Sequence, residues 1–155
     1  MITPEEVGLL SRPISQHIDR AQILSYITEV EQLIVRPALG EELYNNIRTN
    51  PQGYEVLMNG GEDVSGGLRK AVAYHVYARI IKQGATIATR FGAVEKVDEY
   101  SYRIENDKKD AIFRECSNIA DAYMAECVKY AKKKDMQDDG DVASSIRRTA
   151  YIVGD

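Results

Sequence analysis

The side chains that most often carry chemistry are few in this chain, and their spacing does not suggest catalysis or metal binding. The two histidines, His17 and His75, are too far apart for the short ligand spacing of a zinc site. No serine lies in a nucleophile-elbow motif, and no histidine is placed by sequence to activate a cysteine. The glycine pairs at 60–61 and 66–67 lack the Lys-Ser/Thr ending of a phosphate-binding loop. We therefore expect no enzyme, and neither a cofactor nor a metal ion.

The two cysteines are predicted to be buried core residues. Cys116 and Cys127 are eleven positions apart on one predicted helix, so they share a face about 16 Å apart along the axis. That separation excludes a disulfide while the helix is intact. Small apolar residues in a reducing compartment are the simpler interpretation.

The composition limits the class of protein. A chain of 155 residues with 44% hydrophobic and 28% charged residues is typical of one globular domain. The net charge of −4 argues against a dedicated nucleic-acid-binding surface. No apolar run approaches the roughly 20 residues of a membrane helix, and the acidic start Thr3–Glu6 does not resemble a signal peptide. We expect a globular protein that does not enter a membrane.

Helical periodicity predicts a hairpin of two helices between Ile23 and Ile47. Apolar residues recur at helical spacing from Ile23 to Ile34 and again at Leu43 and Ile47. Pro37 is expected to end the first helix and to move Arg36 out of the helical region. The turn is therefore predicted at 36–40.

Two further helices are predicted to build most of the core. The first begins at Ser65 or Gly66, ends near Gln83, and has so little polar surface that it should be central. His75 and Arg79 on this helix are interpreted as structural.

The last helix, from about Arg103 to Lys133, would be roughly 45 Å long. Because the short helices cannot cover that length, it should either bend or contact something outside the monomer. Its apolar stripe consists of Ile112, Cys116, Ile119, Tyr123, Cys127 and Tyr130.

The segment between these two helices changes to strand-like composition. β-Branched and aromatic residues predict a small extended hairpin or loop near 86–102. Two strands alone would be marginally stable, so the hairpin should lean on the bundle or on another subunit. The candidate subunit-interface residues are Phe91, Val94, Tyr100 and Tyr102.

The C-terminal residues are predicted to differ from the body. We expect a helical bundle over 1–132, then a flexible linker and an extended C-terminal arm over 133–155. The charged stretch 135–141 precedes a compact apolar run with strand preference. That run either docks on its own domain or adds to a partner's sheet edge or groove, and the reach of the linker favours the partner. Its candidate binding residues are Arg147, Arg148, Tyr151, Ile152 and Val153.

Several residues of the predicted hairpin carry a resemblance to a known class of proteins. The pattern comprises Tyr26-Ile27, Glu29, Glu31, Ile34, Pro37, Leu39-Gly40, Leu43-Tyr44 and Ile47. It resembles the opening of head-to-tail adaptor (connector) proteins of tailed bacteriophages, especially the ring proteins of Bacteroides-type and crAss-like phages. The Tyr-rich helix around 73–79 and the segment 91–94 before a long last helix also fit. The similarity covers roughly residues 1–132.

The resemblance implies an all-helical structural virion protein without catalysis. Such adaptors form a homo-oligomeric ring, usually twelvefold, at the neck between the portal protein and another neck or tail protein. The ring extends the channel through which DNA passes, without binding DNA specifically and without contacting a membrane. The protein would be made in the cytoplasm of the bacterial host and end in the virion. By position, the C-terminal arm would contact the portal.

Two other functions remain open from the sequence. One is a tail-completion protein at the other end of the neck. The other is a non-viral helical module that binds a peptide in a groove, which would be a monomer or dimer and would form no ring.

Overall fold

The fold is mainly α-helical, as predicted. The computed structural model describes residues 1–83, 86–90, 92–95 and 105–150. The helices are α1 Pro4–Leu10, α2 Arg20–Val30, α3 Arg36–Leu39, α4 Glu41–Thr49, α5 Glu55–Asn59, α6 Gly67–Gln83 and α7 Asn106–Ala150. A π-helical turn, Glu31–Val35, joins α2 to α3, and a 3-10 turn, Pro51–Tyr54, leads into α5.

Helix α6 is the centre of the molecule, which confirms the prediction from its weakly polar surface. It packs lengthwise against α7, while α1, α2 and α5 contact its other sides. Contact on several sides explains why the small residues Ala71, Ala73 and Ala78 are completely buried. The core also includes Leu68, Val72, Val76 and Ile80 of α6, Ile23, Ile27 and Val30 of α2, and Cys116, Ala120, Met124 and Cys127 of α7.

Two short strands form a hairpin between α6 and α7. β1 Thr86–Thr89 pairs antiparallel with β2 Gly92–Glu95, and Ile87 lies opposite Val94 in the register. This pairing lies inside the segment 86–102, for which the sequence predicts an extended hairpin or loop.

The predicted corner at Arg36–Gly40 is wrong in its first half, because the chain remains helical through Pro37. Arg36 has helical dihedral angles (φ −58°, ψ −47°), and its backbone N–H donates to the carbonyl of Glu31 across a π-type turn. A proline ring in a regular helix clashes with the carbonyl four residues earlier, here that of Leu33. The wider turn before Pro37 relieves that clash. The chain turns at Gly40 (φ 85°).

The π-helical turn also changes which residues face the core. In a regular helix Ile34 would follow Val30 into the interior, as the sequence predicts. The extra residue in the turn brings Val35 inside instead, so that Val30 and Val35 are both completely buried. Ile34 becomes half-buried, and Leu33 is 66% exposed.

Helix α7 extends over Asn106–Ala150, so it begins three residues after the predicted start at Arg103. The flexible linker and extended arm predicted over 133–155 stay a prediction, and residues 151–155 lie outside the described residues.

Candidate functional site

A polar cluster around the buried His75 joins α2, α6 and α7. His75 is only 4% exposed, and its Nε2 lies 3.3 Å from Oδ1 of Asp121, although the angles do not form a hydrogen bond. The Nε of Arg79 donates to Oε1 of Glu29 at 3.1 Å, and its Nη1 donates to the carbonyl of His75 at 3.3 Å. The cluster ties three helices together through one buried histidine.

The surroundings of His75 favour its neutral form. Burial lowers the pKa of His75, the neighbouring Asp121 carboxylate raises it, and Arg79 lowers it again; the net shift is downward. Nothing in the cluster provides a nucleophile for this histidine to activate. Among the residues the structure describes, no three His, Cys, Asp or Glu side chains converge to hold a metal ion. The hydrogen bonds of Arg79 fit the structural interpretation, while the buried Nε2 of His75 has Asp121 nearby without a hydrogen bond.

The cysteines are core residues, as predicted. Cys116 and Cys127 are completely buried and both are free thiols. Burial raises the pKa of both thiols, that of Cys127 to about 12, so neither is a reactive thiolate at neutral pH.

Within the described residues, the surface features that suggest binding are apolar. Four large hydrophobic side chains are exposed: Leu9 (82%), Leu33 (66%), Leu24 (44%) and Val56 (39%). Single exposed apolar residues are ordinary, whereas an exposed residue that borders an apolar depression indicates a contact surface. Leu9 and Val56 each border such a depression.

The larger depression lies between α1 and the segment leading into α2, and we call it the N-terminal groove. Its volume is about 640 Å³, and its lining residues are Pro4, Glu5, Gly8, Leu9, Pro13, Ile14, Ser15, Gln16, Ile18, Arg20 and Ile23. Gly8 forms part of the floor, because a Cβ there would lie 3.1 Å from Ile14. Arg12 bonds to Glu115 at 2.5 Å, which places the groove beside the first third of α7.

A second, smaller depression of about 260 Å³ lies further along α7. It is bordered by Leu43, Tyr54, Val56 and Tyr130, among others. The ammonium group of Lys134 lies 5.7 Å from the centre of the Tyr54 ring, a cation–π contact at its rim. The two depressions therefore lie at different levels of the same long helix.

The predicted site residues are only partly within the described structure. Arg147 and Arg148 lie in the last turns of α7, and Val94 lies in β2. Phe91, Tyr100, Tyr102 and Tyr151, Ile152 and Val153 lie outside the described residues. The sequence analysis did not predict the N-terminal groove. The signal present was the spacing of Leu9, Ile14 and Ile18, which fits no single helix.

Comparison with known proteins gives one family. A family model covering residues 35–137, well over half of the chain, matches this sequence. The chain belongs to the DUF6712 family. It is a family of unknown function. The segment shared with the DUF6712 model runs from the π-helical turn through α6 and into α7, and it leaves out the N-terminal groove and the last residues. No curated protein and no solved structure gives a match.

The described helices can be compared with the helices that span membranes. None of them combines the length and the apolar character that crossing a membrane requires.

Proposed function

We propose that this DUF6712 protein is a structural ring component of the neck of a tailed bacteriophage, an adaptor between the portal protein and the tail. The proposal rests on the sequence resemblance described above. The observation that supports it physically is the disproportion between α7 and the body of a single protomer.

That disproportion can be stated in lengths. With 45 residues α7 is about 68 Å long, whereas α6, its main partner, has 17 residues and is about 26 Å long. The completely or nearly completely buried side chains of α7, over its described part, extend only from Cys116 to Cys127. A helix of this length that one body cannot cover is explained if it contacts other proteins in an assembly.

The exposed apolar residues support the same proposal. Leu9, Leu24 and Leu33 are large apolar side chains that a monomer leaves in water. In a closed ring each protomer has two unlike contact surfaces, one for each neighbour. Exposed leucines on α1, on α2 and in the π-helical turn supply apolar surface on more than one side of the body.

The proposed partners are those of an adaptor. The protein would form a homo-oligomeric ring, twelvefold by resemblance, bind portal on one face and a neck or tail protein on the other, and perform no catalysis. DNA would pass through the lumen without specific binding, for which the net charge of −4 is suitable because like charges discourage sticking. Phe91, Val94, Tyr100 and Tyr102 are the proposed subunit contacts, and the C-terminal residues are the proposed portal contact.

Electron microscopy of the purified protein mixed with portal protein tests this proposal. Rings stacked coaxially on the portal are expected. A chain lacking Asp141–Asp155 should remain folded and attach more weakly in a pull-down. Absence of any ring or complex with portal, while tail components bind, would favour the tail-completion protein instead.

One observation favours a different function. The N-terminal groove is apolar and of a size that suits a short peptide, as a helical peptide-binding module would require. Such a module would remain a discrete monomer or dimer in the presence of portal. The same micrographs therefore separate it from an adaptor.

A further inference from the structure

The N-terminal groove needs an occupant, because its rim leaves Leu9 82% exposed while Ile14 and Ile18 below it are only half-buried. An open groove with an apolar floor loses the favourable free energy that covering it would supply. The occupant should therefore be a short segment with two or three large apolar side chains.

The sequence contains one segment of that kind outside the described structure. Tyr151-Ile152-Val153 is a run of three large apolar or aromatic residues, preceded by Arg147 and Arg148. The groove has a carboxylate at its rim, Glu5, whose side chain is 59% exposed and 3.3 Å from Arg20. Because Glu5 pairs with Arg20, which also lines the groove, the rim carries one charge of each sign.

The length of α7 prevents this segment from reaching the groove of its own chain. The bond between Arg12 and Glu115 places the groove at the level of residue 115 of the helix. From Glu115 to Ala150 the helix rises about 52 Å, and the five residues after Ala150 reach back at most about 18 Å. A gap of more than about 30 Å would therefore remain between the C-terminus and the groove of the same chain.

We propose that the C-terminal apolar residues Tyr151–Val153 of one copy occupy the N-terminal groove of a second copy. This contact is heterologous: one protomer contributes its C-terminus and the next its groove, so repetition generates a ring or a linear chain. It deepens the proposed function by naming how neighbours are joined. It keeps the ring of the proposed function but replaces the portal contact of Tyr151–Val153 by a contact with a neighbouring copy, and binding of this segment to portal is the alternative outcome.

Two full-length variants test the contact without disturbing the fold. Leu9→Asp changes a side chain that is already in water, and Ile152→Asp changes the proposed occupant. Each should abolish the concentration-dependent self-association measured by analytical ultracentrifugation. Asn46→Asp is the control, since Asn46 on α4 is exposed and lies outside the groove, and it should associate as the unmodified protein does.

Mixing the two variants gives the decisive result. Leu9→Asp retains a working C-terminus and Ile152→Asp retains a working groove, so an equal mixture should form one-to-one dimers although each alone is monomeric. A labelled peptide of residues 147–155 should bind full-length Ile152→Asp and bind a Leu9→Asp/Ile152→Asp double variant more than about tenfold more weakly, because a carboxylate would be buried without a partner.

The outcomes separate this inference from the proposed function. If the peptide fails to bind Ile152→Asp, or if Leu9→Asp self-associates normally, the groove is not the receptor, and rings on portal would still support the adaptor. If the peptide binds and the mixture dimerises, but no complex forms with portal or tail proteins, the contact is real and the adaptor proposal fails. Loss of portal binding by Ile152→Asp with unchanged self-association would assign the segment to portal and overturn the inference.

Discussion

At the scale of single residues, the tightest constraint is the approach of the loop 60–67 to its neighbours. A Cβ on Gly66 would lie 2.4 Å from two ring atoms of Tyr123 on α7, and a Cβ on Gly67 would lie 2.5 Å from the carbonyl oxygen of Met58. Gly67 also has a φ of +70°, which side chains rarely adopt. Ser65 next to them donates from its N–H and Oγ to Glu126 at 2.9 and 2.6 Å. This glycine pair, which the sequence showed only as a failed phosphate-loop motif, permits α6 and α7 to approach closely.

We predict that Gly66→Ala and Gly67→Ala both destabilise the protein and that only the first can be rescued. Gly66→Ala overpacks against a side chain, which costs about 1–3 kcal/mol, and shortening Tyr123 to Ala in the same chain should recover part of that loss. Gly67→Ala meets backbone atoms that cannot be shortened. Urea denaturation of the single and double variants measures both effects. If Gly66→Ala lowers the free energy of unfolding equally in proteins with Tyr123 and with Tyr123→Ala, the predicted clash with the Tyr123 ring is wrong.

His75 gives a pH dependence of stability. Its pKa in the folded protein is below the usual 6.5, mainly because of burial, so the unfolded chain binds a proton more readily. The contribution of buried, neutral His75 to the free energy of unfolding is therefore fully present above about pH 6.5. It is lost as the pH falls toward the lowered pKa, and the free energy of unfolding then falls by at most about 1.4 kcal/mol per pH unit. Denaturation of a His17→Gln protein between pH 7.5 and 5 should show this slope, and adding His75→Gln should remove it.

Asp121 supplies a second check on the same residue. Its carboxylate raises the pKa of His75 against the effect of burial, and its side chain is 67% exposed. Asp121→Asn should therefore lower the pKa of His75 further, observed by NMR titration of the imidazole. An upward shift would mean that Asp121 is not the stabilising partner of the charged form.

At the scale of elements, the π-helical turn reconciles a proline with a continuous helix. It removes the clash of Pro37 with the carbonyl of Leu33, and it brings Val35 into the core. A helical wheel with a constant 100° step cannot show this, because one extra residue in a turn shifts every later position by about one step. The sequence contains the cause, Pro37. It does not show whether the helix ends before the proline or continues through a wider turn.

We predict that deleting Leu33 is costly only while Pro37 is present. Leu33 is exposed, so its removal loses little packing, but the turn would become regular and the proline ring would meet the carbonyl four residues earlier, at a cost of about 3 kcal/mol. The same deletion in a Pro37→Ala protein should cost much less. The unmodified protein, the Leu33 deletion, Pro37→Ala and their combination form a double-mutant cycle of unfolding free energies. If the deletion lowers the free energy of unfolding equally with and without Pro37, this role of the turn is wrong.

At the scale of the whole molecule, the body is completed early and α7 continues beyond it. The last completely buried side chain within the described part is that of Cys127, and residues 132–134 are exposed. Stability therefore depends mainly on the part of α7 up to Cys127, whereas the proposed assembly depends on the part beyond it.

We predict that a chain ending at Lys134 retains its free energy of unfolding within about 1 kcal/mol, because no buried core contact is removed. A chain ending at Asn118 should not fold, because it lacks Ala120, Met124 and Cys127. Circular dichroism melting curves compare the two. A large loss of stability in the Lys134 protein would mean that residues 135–155 pack on the body, which would weaken the proposed role of α7 in assembly.

The sequence by itself determined the helical class, the central position of α6, the buried free cysteines and the long last helix. These follow from apolar periodicity and composition, which act locally along the chain. The tertiary structure alone decided the continuation through Pro37, the burial of Val35 in place of Ile34, and the N-terminal groove formed around Leu9, Ile14 and Ile18. Each of these depends on how elements distant in sequence fit together in space, and a one-dimensional pattern does not contain that information.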